Sequence, residues 1–455
     1  MGPLLVRCLL FALTAEPIEA NAAVATETRA GEMPLYANQA SSSSFVATVI
    51  TPEASLDYQR SSTTLRLRYF PRFYWQGSGS PDAMIDPLTG RTPAYAGPSG
   101  VITMHQAGLS LTTKLRSTTL LTAQAVAAYG TPDYAALPQL LPTAQAALPP
   151  VQPVFSATGT GALQADVSRR WQLLFATTVS RFQPVGKPDD VVNAVPIQTS
   201  TTVTAAPGFA FQATHLDFVG LTVGTTYVDL PAPPHLNPFT RRTLQEVDAS
   251  IFIVTPTLTW RRRLARDSEL RMGVGASHAE NLGTKPVTDG QPTVVPTATA
   301  QLIGRLAATD QATLSADLRA GVDDYVDPIL AVSGPRLLTS ARLTFQTSTA
   351  WSASLQADFS TSWAPAPTTA SLNMGTVAGQ SAVTTNPPPD LTSVSVSLPV
   401  RYRVSSHLSI EAGGRYSDRR PSFSSPGGFH QQQLFGYVAL TLTTRNEAPN
   451  FIRTQ

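Results

Sequence analysis

The chain is poor in cysteine, lysine and charge, and it contains no long apolar run. Its one cysteine, Cys8, lies near the start of the chain. Disulfides, cysteine–zinc sites and thiol chemistry are therefore excluded from everything downstream. The only lysines are Lys114, Lys187 and Lys285, so the basic residues are nearly all arginine, and they form no basic tract. With a formal net charge of +2, nothing points to nucleic acid. Charged residues make up 14% of the chain, well below the roughly 25% usual in soluble proteins. Yet no run of about 18 consecutive apolar residues occurs, which excludes a membrane-spanning helix. Low charge without such helices fits a β-barrel, whose lipid face uses only alternate residues.

Groupings that carry chemistry are equally scarce. His105, His215, His235, His278, His407 and His430 are scattered, with no pair at metal-ligand spacing. Asp189-Asp190, Asp289 and Asp323-Asp324 fall in loops or at strand ends, without the spacing of a calcium loop. No phosphate-cradling glycine loop precedes a helix, because no helix is predicted. His407 shares a strand face with Ser409 and Glu411, which allows a hydrolase triad to be drawn. A histidine at a strand start is more often a plain polar residue. The expectation is no enzyme, no cofactor and no metal.

Alternation is what the sequence has in abundance. In the stretch Leu391 to Ser417, Val394, Val396, Leu398, Val400, Tyr402 and Val404 share one parity. Ser395, Ser397, Arg401 and Arg403 take the other. After Ser405-Ser406 the pattern restarts, with Leu408, Ile410, Ala412 and Tyr416 against Ser409, Glu411, Gly413, Arg415 and Ser417. Side chains alternate faces along a strand, so this is an antiparallel hairpin with one apolar and one polar face. The same code reads through Leu314 to Asp323, Trp351 to Ser360, Leu270 to Ala276 and Leu65 to Phe70. It is less clean at the end, where Phe435 and Tyr437 share a parity with Thr441 and Thr443.

From Phe45 onward the unit of strand, tight turn, strand and longer loop recurs to Thr444. Strictly alternating tight turns and long loops match outer-membrane barrels with short periplasmic turns and long external loops. The pattern yields about seventeen strands, an odd number that leaves the N-terminus on the wrong side for an up-and-down barrel. A further strand within Thr26 to Ala37 would repair the count. The predicted fold is therefore all-β: a transmembrane antiparallel up-and-down barrel of about 18 strands, within a range of roughly 16–18. Residues 1–25 read as an export signal, with Arg7 before the short apolar core Cys8 to Ala15. Ala20-Asn-Ala22 or Ala23-Val-Ala25 would serve for cleavage. Residues 26–44 are a flexible lead-in or the first strand, and residues 45–455 are the barrel.

The inward parity collects Arg66, Arg68, Asp166, Glu269, Arg271, Asp317, Arg319, Asp323, Arg342, Asp358, Arg401, Arg403, Glu411 and Arg415. An arginine on the lipid face at mid-depth costs about 2 to 4 kcal/mol, so these must line a wet or ion-paired interior. Such a lining either sets the selectivity of a pore or simply pairs across strands and keeps the lumen wet. Arg401, Arg403 and Arg415 form the densest basic group and the first choice for contacting an anionic solute. The tryptophans fall at predicted strand ends, Trp75 and Trp363 beside long loops and Trp171, Trp260 and Trp351 beside tight turns. That is where indole girdles sit at the lipid–water boundary. The long loops are rich in Pro, Ala and Thr, as in Leu137 to Thr143, Ala147 to Pro153 and Asn386 to Pro389.

Two segments carry a resemblance. Ser55 to Gln59 with the strand Leu65 to Phe73, and Leu120 to Thr131, resemble strands of the large outer-membrane barrels of myxobacteria and related Gram-negative bacteria. The resemblance implies a barrel of about eighteen strands. It also implies, for some members, a link to exopolysaccharide export, and no functional residue carries over. The expected function is a channel in the bacterial outer membrane for passive passage or export of hydrophilic solutes, polysaccharide among them. The alternative is a plugged structural, adhesive or surface-assembly barrel acting through its Pro-rich loops. Outer-membrane lipid, lipopolysaccharide, a hydrophilic solute and periplasmic export partners are the expected contacts.

Overall fold

In the computed structural model a 19-stranded sheet closes on itself. The structure describes residues 18–34, 42–77, 101–131, 153–185, 199–230, 235–236, 243–244, 249–282, 294–309, 311–327, 332–347, 350–362, 391–421 and 431–444. The strands are β1 (Ile18–Pro34), β2 (Ser42–Arg60), β3 (Thr63–Tyr69), β4 (Arg72–Gly77), β5 (Val101–Arg116), β6 (Thr119–Gly130) and β7 (Val154–Asp166). Next come β8 (Trp171–Pro184), β9 (Ser200–Gln212) and β10 (Asp217–Leu230), then the small separate pair β11 (His235–Leu236) and β12 (Thr243–Leu244). The barrel resumes with β13 (Ala249–Ala265), β14 (Ser268–Asn281), β15 (Val294–Ala308), β16 (Ala312–Asp327) and β17 (Val332–Thr347). It ends with β18 (Trp351–Ser362), β19 (Leu391–Arg403), β20 (Leu408–Pro421) and β21 (Gln431–Thr443).

β3 and β4 both lie between β2 and β5, so they are one barrel strand interrupted at Phe70-Pro71. Pro71 has no N–H to give the ladder. Counting them as one leaves an 18-strand closed antiparallel barrel. Strands of 12 to 19 residues in the unbroken wall exceed the about 9 to 11 that a tilted span requires.

Closure comes from β1, which pairs with β21 from Ala23↔Thr443 to Glu32↔Leu434 and with β2 from Ile18↔Tyr58 to Pro34↔Ser42. Thr444 and Ala22 then lock the seam, the Thr444 N–H donating to the Ala22 carbonyl at 2.9 Å. The missing strand thus starts at Ile18, earlier than Thr26. Both cleavage positions read from the sequence, after Ala22 and after Ala25, fall inside it. Small residues at Ala20, Ala22, Ala23 and Ala25 serve a signal-cleavage site and a seam strand equally well, so composition does not separate them. Residues 1–17 lie outside the described residues, as do Trp363 and the Pro-rich loops.

One end of the barrel is made of tight turns built by a repeated device. In Val167-Ser-Arg-Arg-Trp171, Ala213-Thr-His-Leu-Asp217 and Val404-Ser-Ser-His-Leu408, the first residue donates its N–H to the last residue's carbonyl at 2.9–3.0 Å. The hydroxyls of Ser168, Thr214 and Ser405 accept the N–H three residues on, at 3.2, 3.0 and 3.1 Å. At the opposite end β6 stops at Gly130, whose φ of 135° suits glycine alone. A Cβ there would also meet the Thr103 carbonyl at 2.3 Å.

The two faces differ as the alternation requires. Leu109, Leu173, Phe175, Val203, Leu258, Val274, Leu355, Leu398, Val438 and Leu440 are exposed on the convex side. On the concave side Ala47, Val49, Tyr74, Phe435, Tyr437 and Ala439 form a buried cluster. Phe435 and Tyr437 therefore do not break the pattern. They point inward with Thr441 and Thr443, while Leu434, Val438, Leu440 and Leu442 point out.

Candidate functional site: the barrel lumen

Register carries the concave face from strand to strand. Arg29 opposes Ala47 and Tyr437, Glu411 opposes Ala439 and Arg401, and Ser352 opposes Arg401. Further round, Gln356 opposes Arg342, Arg342 opposes Asp317, and Arg319 opposes Gln301. Gln301 opposes Arg271, which opposes Arg261, which opposes Phe218. Followed through, this row and its neighbours place every residue of the predicted lining on one face. Arg66 and Arg68 (β3), Asp166 (β7), Glu269 (β14), Asp323 (β16), Asp358 (β18), Arg403 (β19) and Arg415 (β20) share it. The apolar residues between them take the other face. The chain is a β-barrel with oil outside and charge inside.

The lining is not one cluster. Around β1, β2 and β3 it is densely paired and sheltered. Arg66 pairs with Asp57, which also accepts from Asn21 at 3.1 Å. Arg68 meets Glu53 at 3.7 Å and lies 5.5 Å from the Phe70 ring centre. Arg29 pairs with Glu27 at 2.6 Å and sits 5.7 Å from the Phe435 ring centre. Glu53, Asp57 and Arg29 are 6–8% exposed, so this wall does not face bulk water.

The predicted basic trio is split. Arg401 lies level with Glu411, 3.8 Å away, and Glu411 also accepts the Tyr437 hydroxyl at 2.9 Å. Tyr437 reaches Glu411 by lying over Gly413, where a Cβ would meet the ring at 2.8 Å. Arg415 is four residues further along β20, about 14 Å along the strand, opposite Ser397. Arg403 is at the turn end of β19 and exposed.

The structure assembles a different basic group from β13 to β17. Arg261, Arg271, Gln301 and Arg319 fall in one register row across four strands, with the like charges Arg261 and Arg271 directly opposed. Glu269 tempers them, paired with Arg271 and 3.9 Å from Arg261. Arg261 rests 4.2 Å from the centre of the Phe218 ring. Asp317 is held by Gln301 at 2.8 Å, and Arg342 binds the Gln356 amide oxygen at 3.0 Å. Asp358 accepts from Gln356 and Ser395 at 2.9 and 3.3 Å, and Asp323 forms a two-pronged pair with Arg336 at 2.9 and 3.1 Å. Arg319 has no ion-pair partner among the described residues. Sequence reading missed Arg261 because it sits in Trp260-Arg-Arg-Arg263, where three successive arginines hide the alternation. The outward Trp260 beside it was the available signal.

The hydrolase triad does not assemble. The His407 ring takes the Thr443 carbonyl at 3.1 Å, and Ser409 is buried. On the convex face, Trp75, Trp171 and Trp351 are exposed. Trp171 packs on Phe211 and Phe209, with centroids 4.8 and 5.8 Å away, and Trp351 on Tyr402 at 4.5 Å. Trp260 donates its indole N–H to Asp217 at 3.2 Å.

No protein-family model matches the chain, and no curated protein is significantly similar in sequence. Among solved structures it is similar to the siderophore receptor PirA from Acinetobacter baumannii, at 8% identity and TM-score 0.45, over 93% of this chain and 80% of that one. It is also similar to OccAB2 from A. baumannii, at 10% identity and TM-score 0.38, over 94% and 98% of the two chains. A BenF-like porin from Pseudomonas fluorescens Pf-5 gives 10%, TM-score 0.39, and 94% and 99%. At such identities and scores, none of these proteins lends a residue or a role to this chain.

Proposed function

We propose that the chain is a passive outer-membrane channel for small hydrophilic solutes, with a preference for anionic ones. The carrying observation is the row Arg261, Arg271, Gln301 and Arg319, three arginines on the lumen face tempered by Glu269 and by Asp317, which Gln301 holds. Guanidinium groups on neighbouring strands offer forked donors to a carboxylate or phosphate passing along the wall. The apolar convex face meets acyl chains, and the outward Trp75, Trp171, Trp260 and Trp351 sit at the two lipid–water boundaries. Single-channel recording in planar bilayers tests this. Discrete conductance steps with an anion-selective reversal potential are expected, and R261Q/R271Q/R319Q should abolish the preference while keeping the steps.

A second reading, the plugged barrel, is favoured by the sheltered wall of β21, β1 and β2, where Ala47, Val49 and Arg29 are 0–6% exposed on the concave face. Absence of any conductance step would decide for it. Export of polysaccharide, with periplasmic partners, rests on the sequence resemblance alone. An export leader compatible with the seam must end before Ile18. A mature protein whose measured mass begins at Ala23 or Thr26 would sink that boundary.

A further inference from the structure

Three hairpins at the tight-turn end slip register in the same way. Pairing jumps between Lys114 and Arg116, between Arg263 and Ala265, and between Arg305 and Ala307. Each time the residue left out is a leucine: Leu115, Leu264 and Leu306, which are 58%, 53% and 54% exposed. Each follows an inward Lys or Arg and continues the outward parity of its strand. A bulge at a barrel rim re-aims one side chain, and here it turns an aliphatic one outward three times.

Depth makes this placement specific. Leu264 lies four residues past Trp260 on the same outward column, about 14 Å along the strand. At a tilt of about 40° that is roughly 10 Å further along the membrane normal, beyond the aromatic girdle. Arg262 lies between them, and Arg116, Arg169, Arg170, Arg266 and Arg305 stand exposed along the same sector. Asp166, exposed at the end of β7, is directed to the lumen by its parity, and two outward carboxylates among the described residues are engaged. Asp217 holds Trp260, Thr214 at 2.7 Å and Arg262 at 3.7 Å, and Asp267 holds Arg305 at 3.4 Å. Arg116, Arg169, Arg170 and Arg266 have no carboxylate partner among the described residues. Across the barrel the basic residues are fewer, with Arg60 opening the turn Arg60-Ser-Ser-Thr63 and Arg403 preceding Val404-Ser-Ser-His407.

We propose that the rim from the β5–β6 turn to the β15–β16 turn binds the headgroups of anionic phospholipid in the leaflet it faces. The arginines take the phosphates, Trp260 and Trp171 hold the glycerol and upper acyl region, and the bulged leucines lie at headgroup depth. A lipid fits better than an acidic protein, because the leucines prolong the lipid-facing columns rather than forming a patch on the end of the barrel. The inference rests on the barrel spanning a membrane, not on what it conducts.

The test uses the full chain, folded in detergent micelles with equal phosphatidylglycerol and phosphatidylethanolamine, and native mass spectrometry of the retained lipid. Wild type should retain phosphatidylglycerol over phosphatidylethanolamine by about fivefold or more, given about 1 kcal/mol per basic residue at a charged surface. R116Q/R169Q/R170Q/R266Q should bring the ratio near one, with R319Q in the lumen leaving it unchanged. Retained heat-modifiable migration on gels shows that the rim variant still folds. Equal retention by wild type, or an unchanged ratio in the rim variant, would overturn the proposal. Release of the lipid by excess inorganic phosphate would do the same, reducing the rim to a plain anion site. A photo-crosslinker at position 264 or 306 should yield adducts of lipid mass, and a protein adduct instead would also overturn it. Lipid retention without conductance would fell the channel reading and leave this one standing.

Discussion

From β6 to β10 the inward positions include Thr122, Gln124, Thr158, Thr160, Thr178, Thr202, Thr204, Thr222 and Thr226, with Asp166 the one charge, at the turn end. From β13 to β20 the same face carries Arg261, Glu269, Arg271, Asp317, Arg319, Arg342, Asp358, Arg401, Glu411 and Arg415. Backbone, strand length and outer face are alike in the two walls, so the difference lies wholly in what the lumen is asked to be. The hydroxyl wall is nearly self-sufficient. Thr204 and Thr226 bond each other at 3.3 Å, and even the outward Thr177 and Thr225 hide their hydroxyls on backbone carbonyls at 2.9 and 3.0 Å. The charged wall is interdependent: each Asp and Glu is held by an arginine, an amide or a hydroxyl on the next strand. Charge on a membrane barrel's inner face is tolerated because it is wet or paired; a hydroxyl has the same need at a smaller cost, and a neighbouring hydroxyl or backbone carbonyl meets it.

The largest effect is expected where the pairing is most sheltered. Glu53→Gln removes the carboxylate 3.7 Å from the sheltered Arg68 and should cost on the order of 3 kcal/mol in urea unfolding from vesicles; a loss under about 1 kcal/mol would show that this wall is wetter than its burial implies. Next, Thr178→Arg and Val179→Arg put the same charge on adjacent residues of the hydroxyl wall, one inward and one outward. The outward change should cost about 2 to 3 kcal/mol. The inward one should leave stability almost untouched and shift the reversal potential toward anions; equal destabilisation by both would sink the face assignment. A smaller effect, about 1.5 kcal/mol, is expected for Tyr437→Phe, which removes the hydroxyl that Glu411 accepts. Gly413→Ala should mimic it by pushing the ring away, and additive losses in the double variant would break that link. Smallest is Thr204→Val, about 0.5 kcal/mol, with conductance unchanged.

Much of this was legible beforehand. The alternation in Leu391 to Ser417 and its repeats separated lining from lipid face, and the recurring tight turns, Ser405-Ser406 among them, marked one end of the barrel. Three things were not legible. The first half of β1, Ile18 to Ala25, hid in an alanine-rich stretch with the look of a cleavage site, while its second half overlaps the strand expected within Thr26 to Ala37. Phe435 and Tyr437 blurred the alternation of the last strand by sharing a parity with Thr441 and Thr443; they line the lumen because Gly31, Gly413 and Arg29 make room and contact for them. Arg401, Arg403 and Arg415 are near in sequence but separated in height, whereas Arg261 and Arg319 are distant in sequence and share a row.

The sequence alone determined which side chains face which way, because facing is a property of one strand and repeats every two residues. It also determined the order of the walls, since each strand pairs with the next. The tertiary structure decided where the ring closes and which residues stand level with one another. Level depends on the register of every pair and on the stagger that closure forces on the whole sheet, and no local window of residues contains that sum.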